Sequence, residues 1–342
     1  MGAIIKLWSF LKLNKYFLLT LSLLVFLLPF LSRAEQLSFS KVLKSGNYDF
    51  SYQWLDHDNV QQSIRFTLSQ EALFDRFRNF KTYQATFAEK TILHRIKKEI
   101  KKHPIPNVQV FYRQKNGIST FEVKGPDDKK VRQAYQKLLL VEQKVTKQYF
   151  SDIYYQTFIN HDQISGIKVN HIDIANASVS DLKPLKPIIL EKVSIKNIRK
   201  VSNYVLSFVQ NIPYNTLESR ISSSGTGFNP PTKVLWENQG DCDSKMTLTA
   251  AILRGLMPRI EMALVYIDGH AFIGIAIPAE GDEISINFKG VDYLLAEPTG
   301  PALLPLGQLA PESEMAINQG RYVIESYHEQ ISNKISPQSV NN

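Results

Sequence analysis

The chain has 342 residues, of which 44% are hydrophobic and 21% charged, a composition typical of a folded protein with room for two domains. Its formal net charge is +8, but four basic residues lie in the first 34 positions. The remainder therefore carries only a mild positive excess, which predicts no particular partner. A single cysteine excludes an intramolecular disulfide, so the fold must be stabilised by core burial.

Residues 1–34 have the features of an export segment. A basic start without acidic residues is followed by the largely apolar run 17–31, and then by the small-x-small sequence SRA before Glu35. This order predicts a cleaved secretory signal peptide, and an uncleaved membrane anchor is the alternative. In either case the rest of the chain is predicted to lie outside the cytoplasm, either free in the periplasm or membrane-anchored and facing the periplasm or exterior.

Residues 35–185 are predicted to form an N-terminal α+β domain of unknown role. Helical periodicity covers 70–103 and 128–157. Between these segments, apolar and polar residues alternate around Asn116-Gly117, a dipeptide that favours a tight β-hairpin turn. The expected order is therefore helix, hairpin, helix.

The stretch KTILHRIKKEIKKH, at 90–103, is the most basic part of the chain. It could indicate a nucleic-acid or phosphate patch, but its three isoleucines share one helical face. We therefore predict an amphipathic helix with solvated lysines, and export argues against a nucleic-acid partner. Association with a membrane or with another acidic part of the cell envelope is the partner that this segment allows.

Residues 186–330 are predicted to form a second α+β domain, preceded by a linker at 183–187 (KPLKP) and followed by a disordered tail at 331–342. A helix is expected from about 193 to 210, and another from 241, with apolar residues along one face. Three antiparallel strands should follow: MALVYIDG, HAFIGIAI and EISINFKGVDYLLAE.

Cys242 opens the second of these helices, where unpaired backbone N–H groups and the helix dipole favour a thiolate. Asp241 and Asp243 oppose that effect if their carboxylates approach the sulfur, and Lys245 offsets part of their charge. Either aspartate can instead cap the helix. Reactivity therefore requires a base.

His270 is the candidate base, because it stands at the start of an apolar strand after the Asp268-Gly269 turn. Glu297 ends the next strand, so neighbouring antiparallel strands should bring positions 270 and 297 together. Cys242, His270 and Glu297 would then form a Cys-His-acid triad. Asp292 is a less favoured acid, because it precedes the apolar part of its strand.

The run GDCDSKMTLTAAILRGL resembles the transglutaminase-like superfamily of cysteine enzymes. GHAFIGI is similar to the histidine motif of that family, AEPTG to its acid motif, and FVQNIPYN to the segment before its catalytic loop. The resemblance covers about 190 to 305. It implies a papain/transglutaminase-like fold, with Cys242 as nucleophile, His270 as base and Glu297 as orienting acid. The family usually has Asp in the acid position, so Glu297 is a departure by one methylene.

The sequence therefore predicts an exported thiol enzyme, a cysteine peptidase or amidase or a transglutaminase-like acyltransferase, that acts on amide bonds of proteins or peptides. Hydrolysis is favoured over transamidation, and no cofactor or metal is implied. The alternative is an inactive binding or scaffold protein of the envelope. Cys242 N–H would contribute to an oxyanion site, and four side chains are candidates for the second donor: Gln210, Tyr214, Trp236 and Gln239.

Overall fold

The computed structural model of the chain describes residues 34–115, 118–219 and 227–327. Helices form 38% and strands 27% of it, and the strand pairs are antiparallel, which confirms the predicted α+β class. Within these ranges, no helix is long and apolar enough to span a membrane. The predicted signal segment up to residue 33, the Asn116-Gly117 turn and the predicted tail 331–342 lie outside the described residues.

The first half of the chain contains the elements β1 (Gln36–Lys44), β2 (Asn47–Leu55), β3 (Gln61–Ser69), α1 (Gln70–Phe74), α2 (Ala85–Lys102), β4 (Gln109–Lys115), β5 (Ile118–Lys124), α3 (Asp128–Asp152), β6 (Tyr155–Ile159), β7 (Ser165–Val169) and α4 (His171–Ser178). The second half contains α5 (Leu185–Lys192), α6 (Ile198–Gln210), α7 (Pro231–Glu237), α8 (Cys242–Leu256), β8 (Met262–Ile267), β9 (His270–Ile275), β10 (Ser285–Phe288), β11 (Val291–Ala296), α9 (Pro311–Asn318) and β12 (Val323–Tyr327).

Helix α8 lies in the middle of the molecule, against β9 and helices α4, α6 and α7. Nearly all of its residues are buried. The prediction that only one face of this helix is buried is therefore wrong. The helix tolerates this burial because its buried polar side chains have hydrogen-bond partners, and two of them bond within the helix. The hydroxyls of Thr247 and Thr249 donate to the carbonyls of Asp243 and Lys245, at 2.6 and 2.9 Å.

The sheet beside α8 has the strand order β10-β11-β9-β8-β12. The segment predicted as one long strand, EISINFKGVDYLLAE, is instead the hairpin β10–β11. Its turn is Lys289-Gly290, where both residues have positive φ, at 53° and 82°. Two consecutive positive φ values characterise a tight hairpin turn, but Lys-Gly is a weaker signal for it than Asn-Gly. The turn was missed for that reason.

A second sheet, β1-β2-β3, packs on α6 and was not predicted. Alternate side chains of β2 and β3 point to the same core as α6 and α8, because successive residues of a strand face opposite sides. The polar ends of two buried aromatics find partners there. Trp54 Nε1 donates to Ser207 Oγ at 3.1 Å, and the Tyr52 hydroxyl donates to the Leu235 carbonyl at 2.9 Å.

The predicted linker at 183–187 is wrong, because this segment enters helix α5. Pro184 is the N-cap, and Pro187 lies in the first turn, where a proline removes no helical hydrogen bond. Leu185 and Ile189 are each 1% exposed and belong to the core that also contains β2 and β3. The predicted boundary between residues 185 and 186 therefore crosses a shared core. The helix expected from 193 begins later, at Ile198, after Asn197 caps it.

Residues 85–152, which we call the arm, contain α2, the β4–β5 hairpin and α3. This order confirms the predicted helix, hairpin, helix, but the helical segments are shorter than predicted. The segment 70–103 is not helical between Phe74 and Ala85, and the segment 128–157 ends at Asp152, before β6. Ile96 is buried and Ile92 and Ile100 are half-buried, as expected for an amphipathic helix. The arm has small apolar clusters around Tyr149 and Leu138 that are separate from the main core.

Candidate active site

The start of α8 is fixed by its sequence, which places Cys242 at the first helical position. Asp241 is the N-cap, and its carboxylate accepts from Ser244 N at 3.0 Å. Gly240 precedes it in a bridge with Tyr214. A Cβ at position 240 would lie 3.3 Å from Ser244 Cβ, so a larger residue would press on the helix. Of the two aspartates that could cap the helix, Asp241 is the N-cap, and Asp243 instead lies near the Cys242 sulfur.

Lys245 connects α8 to the segment that follows α6. Its side chain is fully buried, and Nζ donates to the carbonyls of Gln210, at 3.4 Å, and Ile212. Burial lowers the Lys245 pKa to about 7, while Asp241 acts in the opposite direction. The sequence suggested only that Lys245 balances nearby charge. In the structure, its hydrogen bonds to these two carbonyls attach α8 to the loop that carries Tyr214.

The environment of the thiol keeps Cys242 protonated. Its Sγ lies 3.9 Å from Asp243 Oδ1 and 4.0 Å from the Gly269 carbonyl. Burial is the main cause that raises the Cys242 pKa to about 12, and the charges of Asp243 and Asp241 add to it. The backbone N–H groups of Asp243 and Ala271 act against this rise. At neutral pH the resting sulfur is a thiol, so helix position alone does not activate it.

His270 and Glu297 meet as the strand arrangement predicts. His270 opens β9, Glu297 directly follows β11, and these strands are neighbours in the sheet. His270 Nε2 lies 2.5 Å from Glu297 Oε1. The carboxylate is 5% exposed overall and accepts two further bonds, from Ala310 N at 2.8 Å and from the Ser313 hydroxyl at 3.3 Å. The start of α9 thereby positions the longer Glu side chain.

Cys242 and His270 line one cleft of about 390 Å³. The sulfur lies near the Gly269 carbonyl and accepts a hydrogen bond from the Ala271 N–H. These two backbone groups flank His270 in the sequence. Nε2 of the imidazole is hydrogen-bonded to Glu297. With the proton on Nε2, Nδ1 is the basic nitrogen of the ring.

Gln210, a predicted oxyanion donor, braces the acid instead. It is 1% exposed, and its Nε2 donates to the carbonyls of Glu297 and Leu304, both at 2.8 Å. Its Oε1 lies 2.9 Å from His57 Nε2. Both amide hydrogens therefore have acceptors outside the cleft, which leaves none for a substrate.

We expect Gln210→Ala to lower the free energy of unfolding by about 2–4 kcal/mol, because one buried and two partly buried polar groups lose their partner. Urea denaturation measures this loss. A variant that keeps wild-type stability but loses activity would instead assign Gln210 to the reaction.

Trp236 and Gln239 also point to other contacts. The Trp236 ring packs against Phe74 and lies 3.7 Å below Lys41 Nζ, on the side of β1 and α1. Gln239 Nε2 lies 3.3 Å from Glu237 Oε2. Neither residue is among those that line the cleft.

Tyr214 is the oxyanion candidate that the structure brings to Cys242. It lines the same cleft and is 51% exposed. Partial burial raises its pKa, and the charges of Cys242 and Asp241 add to the rise, so the phenol stays protonated and can donate. Asp292, the less favoured acid, is exposed and accepts from Asn287 Nδ2 at 2.7 Å on the outer hairpin, away from His270.

A polar network beside the thiol joins the buried His171 to Asp243, whose side chain is 39% exposed. The sequence did not predict it, because its members come from distant segments. His171 Nε2 lies 3.6 Å from Asp243 Oδ2, and its Nδ1 lies 3.0 Å from Thr247 Oγ1. Burial holds the His171 pKa well below its ordinary value, with Lys168 adding to the effect, so the ring is neutral. Desolvation raises the pKa of Asp243, and the charges of Lys168 and His270 oppose this rise. Asp243 therefore faces both the thiol and a neutral imidazole.

Lys168 and Glu325 form a further wall of the cleft region. Lys168 Nζ pairs with Glu325 Oε2 at 2.9 Å and lies 3.3 Å from the centre of the Tyr266 ring. Burial lowers the Lys168 pKa to about 8, although Glu325 opposes the shift. Nothing in the local sequence around Ser165–Val169 signals this position, because the pairing partners lie more than 90 residues away.

One group of metal-type donors occurs within the described residues, although the sequence implied none. His161, Asp162 and Asp268 have donor atoms within 4.8 Å of one another at the edge of the cleft. Both aspartates are exposed, and Asp268 also lies 3.7 Å from Arg321 Nη1. Exposed acids of this kind are common without an ion.

Comparisons with protein-family models, with curated proteins and with solved structures each give no match for this chain.

Proposed function

We propose that the chain is an exported thiol enzyme that acts on amide bonds of proteins or peptides, with a transglutaminase-like domain over residues 186–330. The observation that carries this proposal is the 2.5 Å contact of His270 Nε2 with Glu297 Oε1, in a histidine that lines the same open cleft as Cys242. A histidine oriented by a buried carboxylate, with its second nitrogen free for a thiol, is the arrangement that Cys-His chemistry needs.

In the proposed reaction, Cys242 Sγ attacks the amide carbonyl while His270 Nδ1 takes the thiol proton. The C–N bond then breaks, and the imidazolium gives that proton to the departing amine, which leaves a thioester on Cys242. Water attacks the thioester with His270 again as base, releasing the carboxylic acid and the thiol. Glu297 holds the imidazole in one tautomer and stabilises its charged form.

The carbonyl oxygen becomes negatively charged in both steps and needs donors. Cys242 N–H is at the first turn of α8, where backbone N–H groups have no helical acceptor. Tyr214 supplies a hydroxyl in the same cleft. These two groups are the oxyanion donors of the proposal.

Hydrolysis is proposed over transamidation, because a thioester in an open, exported cleft meets water. The test is incubation of the full-length protein with envelope-derived peptides in ¹⁸O-water, with and without a labelled primary amine. We expect ¹⁸O in the released carboxyl group and little amine incorporation. Predominant amine incorporation would instead assign transamidation, and absence of both products with unmodified Cys242 would contradict the enzyme.

A scaffold protein that keeps the fold without turnover is the second candidate. The observation that favours it is the Cys242 pKa of about 12, raised first by burial, which leaves the resting thiol unreactive. The scaffold predicts that Cys242→Ser binds the same envelope peptides as the parent chain and that neither protein forms an acyl intermediate. The enzyme predicts that only the parent chain forms it.

A further inference from the structure

The charge of the chain is concentrated in the arm. Residues 85–152 contain 15 Lys and Arg against 7 Asp and Glu, a net charge of +8. From residue 35 onward, the rest of the chain has 21 basic and 25 acidic residues, a net charge of −4. The small net positive charge from residue 35 onward is therefore the sum of a strongly basic arm and an acidic remainder, which we call the body.

One face of α3 combines this charge with exposed apolar surface. Lys137, Leu140, Lys144 and Lys147 recur at steps of three and four residues, so they share a face of the helix. All four are exposed, and Leu140 is 65% exposed. Within the described residues, Lys144 has an acidic neighbour, Glu99, at 3.4 Å in an exposed and therefore weak pair. We call these four residues the α3 face.

We propose that the α3 face docks the arm onto a bilayer surface that contains anionic phospholipids. Several lysines spread along a helix attract a surface of negative headgroups, with each contributing about 1 kcal/mol near the surface. An exposed leucine among them can enter the boundary between headgroups and acyl chains. That leucine distinguishes a bilayer from nucleic acid, whose phosphate backbone gives it no apolar partner.

Docking through the α3 face is compatible with an accessible cleft. The described residues that line the Cys242 cleft come from 158 to 323 and include none from the arm. Docking through the α3 face therefore does not depend on catalysis by Cys242 and is expected equally of an enzyme and of a scaffold.

The test uses Leu140→Trp as a depth probe in the full-length protein, reconstituted in phosphatidylcholine vesicles with or without phosphatidylglycerol. We expect a blue-shifted emission and quenching by brominated acyl chains only when phosphatidylglycerol is present, and loss of both in high salt. Adding Lys137→Glu, Lys144→Glu and Lys147→Glu should weaken docking about 100-fold or more. The parent chain contains Trp8, Trp54 and Trp236, so the docking signal is the emission and quenching of Leu140→Trp minus those of the parent chain in the same vesicles.

The matched control places the same charge change on the body, with Lys192→Glu, Lys196→Glu and Lys200→Glu. These lysines are exposed, and docking should remain within a few-fold of the parent. Equal quenching in neutral and anionic vesicles, or equal losses in the two triple variants, would overturn the proposal. Release of the arm from vesicles by equimolar single-stranded DNA or by an acidic protein would show preference for that other partner, and would overturn it as well.

Discussion

His270→Ala is expected to slow acylation of Cys242 by p-nitrophenyl acetate at neutral pH about 1,000-fold, within the usual range for loss of a general base. The reason is that the Cys242 pKa of about 12, set mainly by burial, leaves almost no thiolate at neutral pH. Attack therefore requires that the proton move to His270 during the reaction. The burst of p-nitrophenol measures the rate.

His94→Ala is the matched control, because His94 is an exposed histidine of the arm. It should leave the burst unchanged. Glu297→Gln should lower the rate about 100-fold, since the imidazole loses its charge partner. An equal rate in His270→Ala and the parent chain would remove His270 from the mechanism.

Asp243→Asn is expected to raise the rate of Cys242 alkylation by iodoacetamide at neutral pH on the order of 10-fold, because it removes a like charge near the sulfur. Only the thiolate reacts. In the parent chain the rate should therefore keep rising with pH towards 12, because the folded-state pKa lies above that of an ordinary thiol. In Asp243→Asn the rise should occur at lower pH. The pH–rate profile, with alkylation located by mass spectrometry, measures the shift.

The control is Asp268→Asn, which removes an exposed carboxylate at the edge of the same cleft. It should leave the alkylation profile in place. An Asp243→Asn profile that coincides with the parent profile would show that burial alone holds the thiol protonated.

The sequence was sufficient to predict that His270 meets Glu297 and that Cys242 begins a helix. Cys242 at a helix start, His270 at a strand start and Glu297 at a strand end are linked by local patterns and by the antiparallel strand order. The cap by Asp241 was also predictable, because an N-cap requires only the residue and its position. These features depend on short segments of chain whose local geometry the residue types largely determine.

The surroundings of the site could not be predicted in the same way. His171 reaches Asp243 from 72 positions away, and Glu297 is positioned by the start of α9, a helix that the sequence pattern did not reveal. The role of Gln210 depends on which carbonyls face its amide, and no local pattern records that. Long-range contacts of this kind arise from tertiary packing, which overrides local propensity.

The packing also explains the wrong linker. Two prolines in KPLKP indicated a break, but one is a cap and the other lies in a first turn, so both are compatible with α5. The apolar residues that follow them, Leu185 and Ile189, are what attach the helix to the core. Proline position within a helix, rather than proline content, decides between the two outcomes.

In the proposed mechanism, Cys242 forms an acyl intermediate with the help of His270. Rapid mixing of the full-length protein with p-nitrophenyl acetate, followed by intact-mass measurement and peptide mapping, tests it most directly. We expect one acetyl group on Cys242 during the burst, absent in Cys242→Ala and formed about 1,000-fold more slowly in His270→Ala. Acetylation confined to lysines, or formed on Cys242 at the same rate without His270, would contradict it.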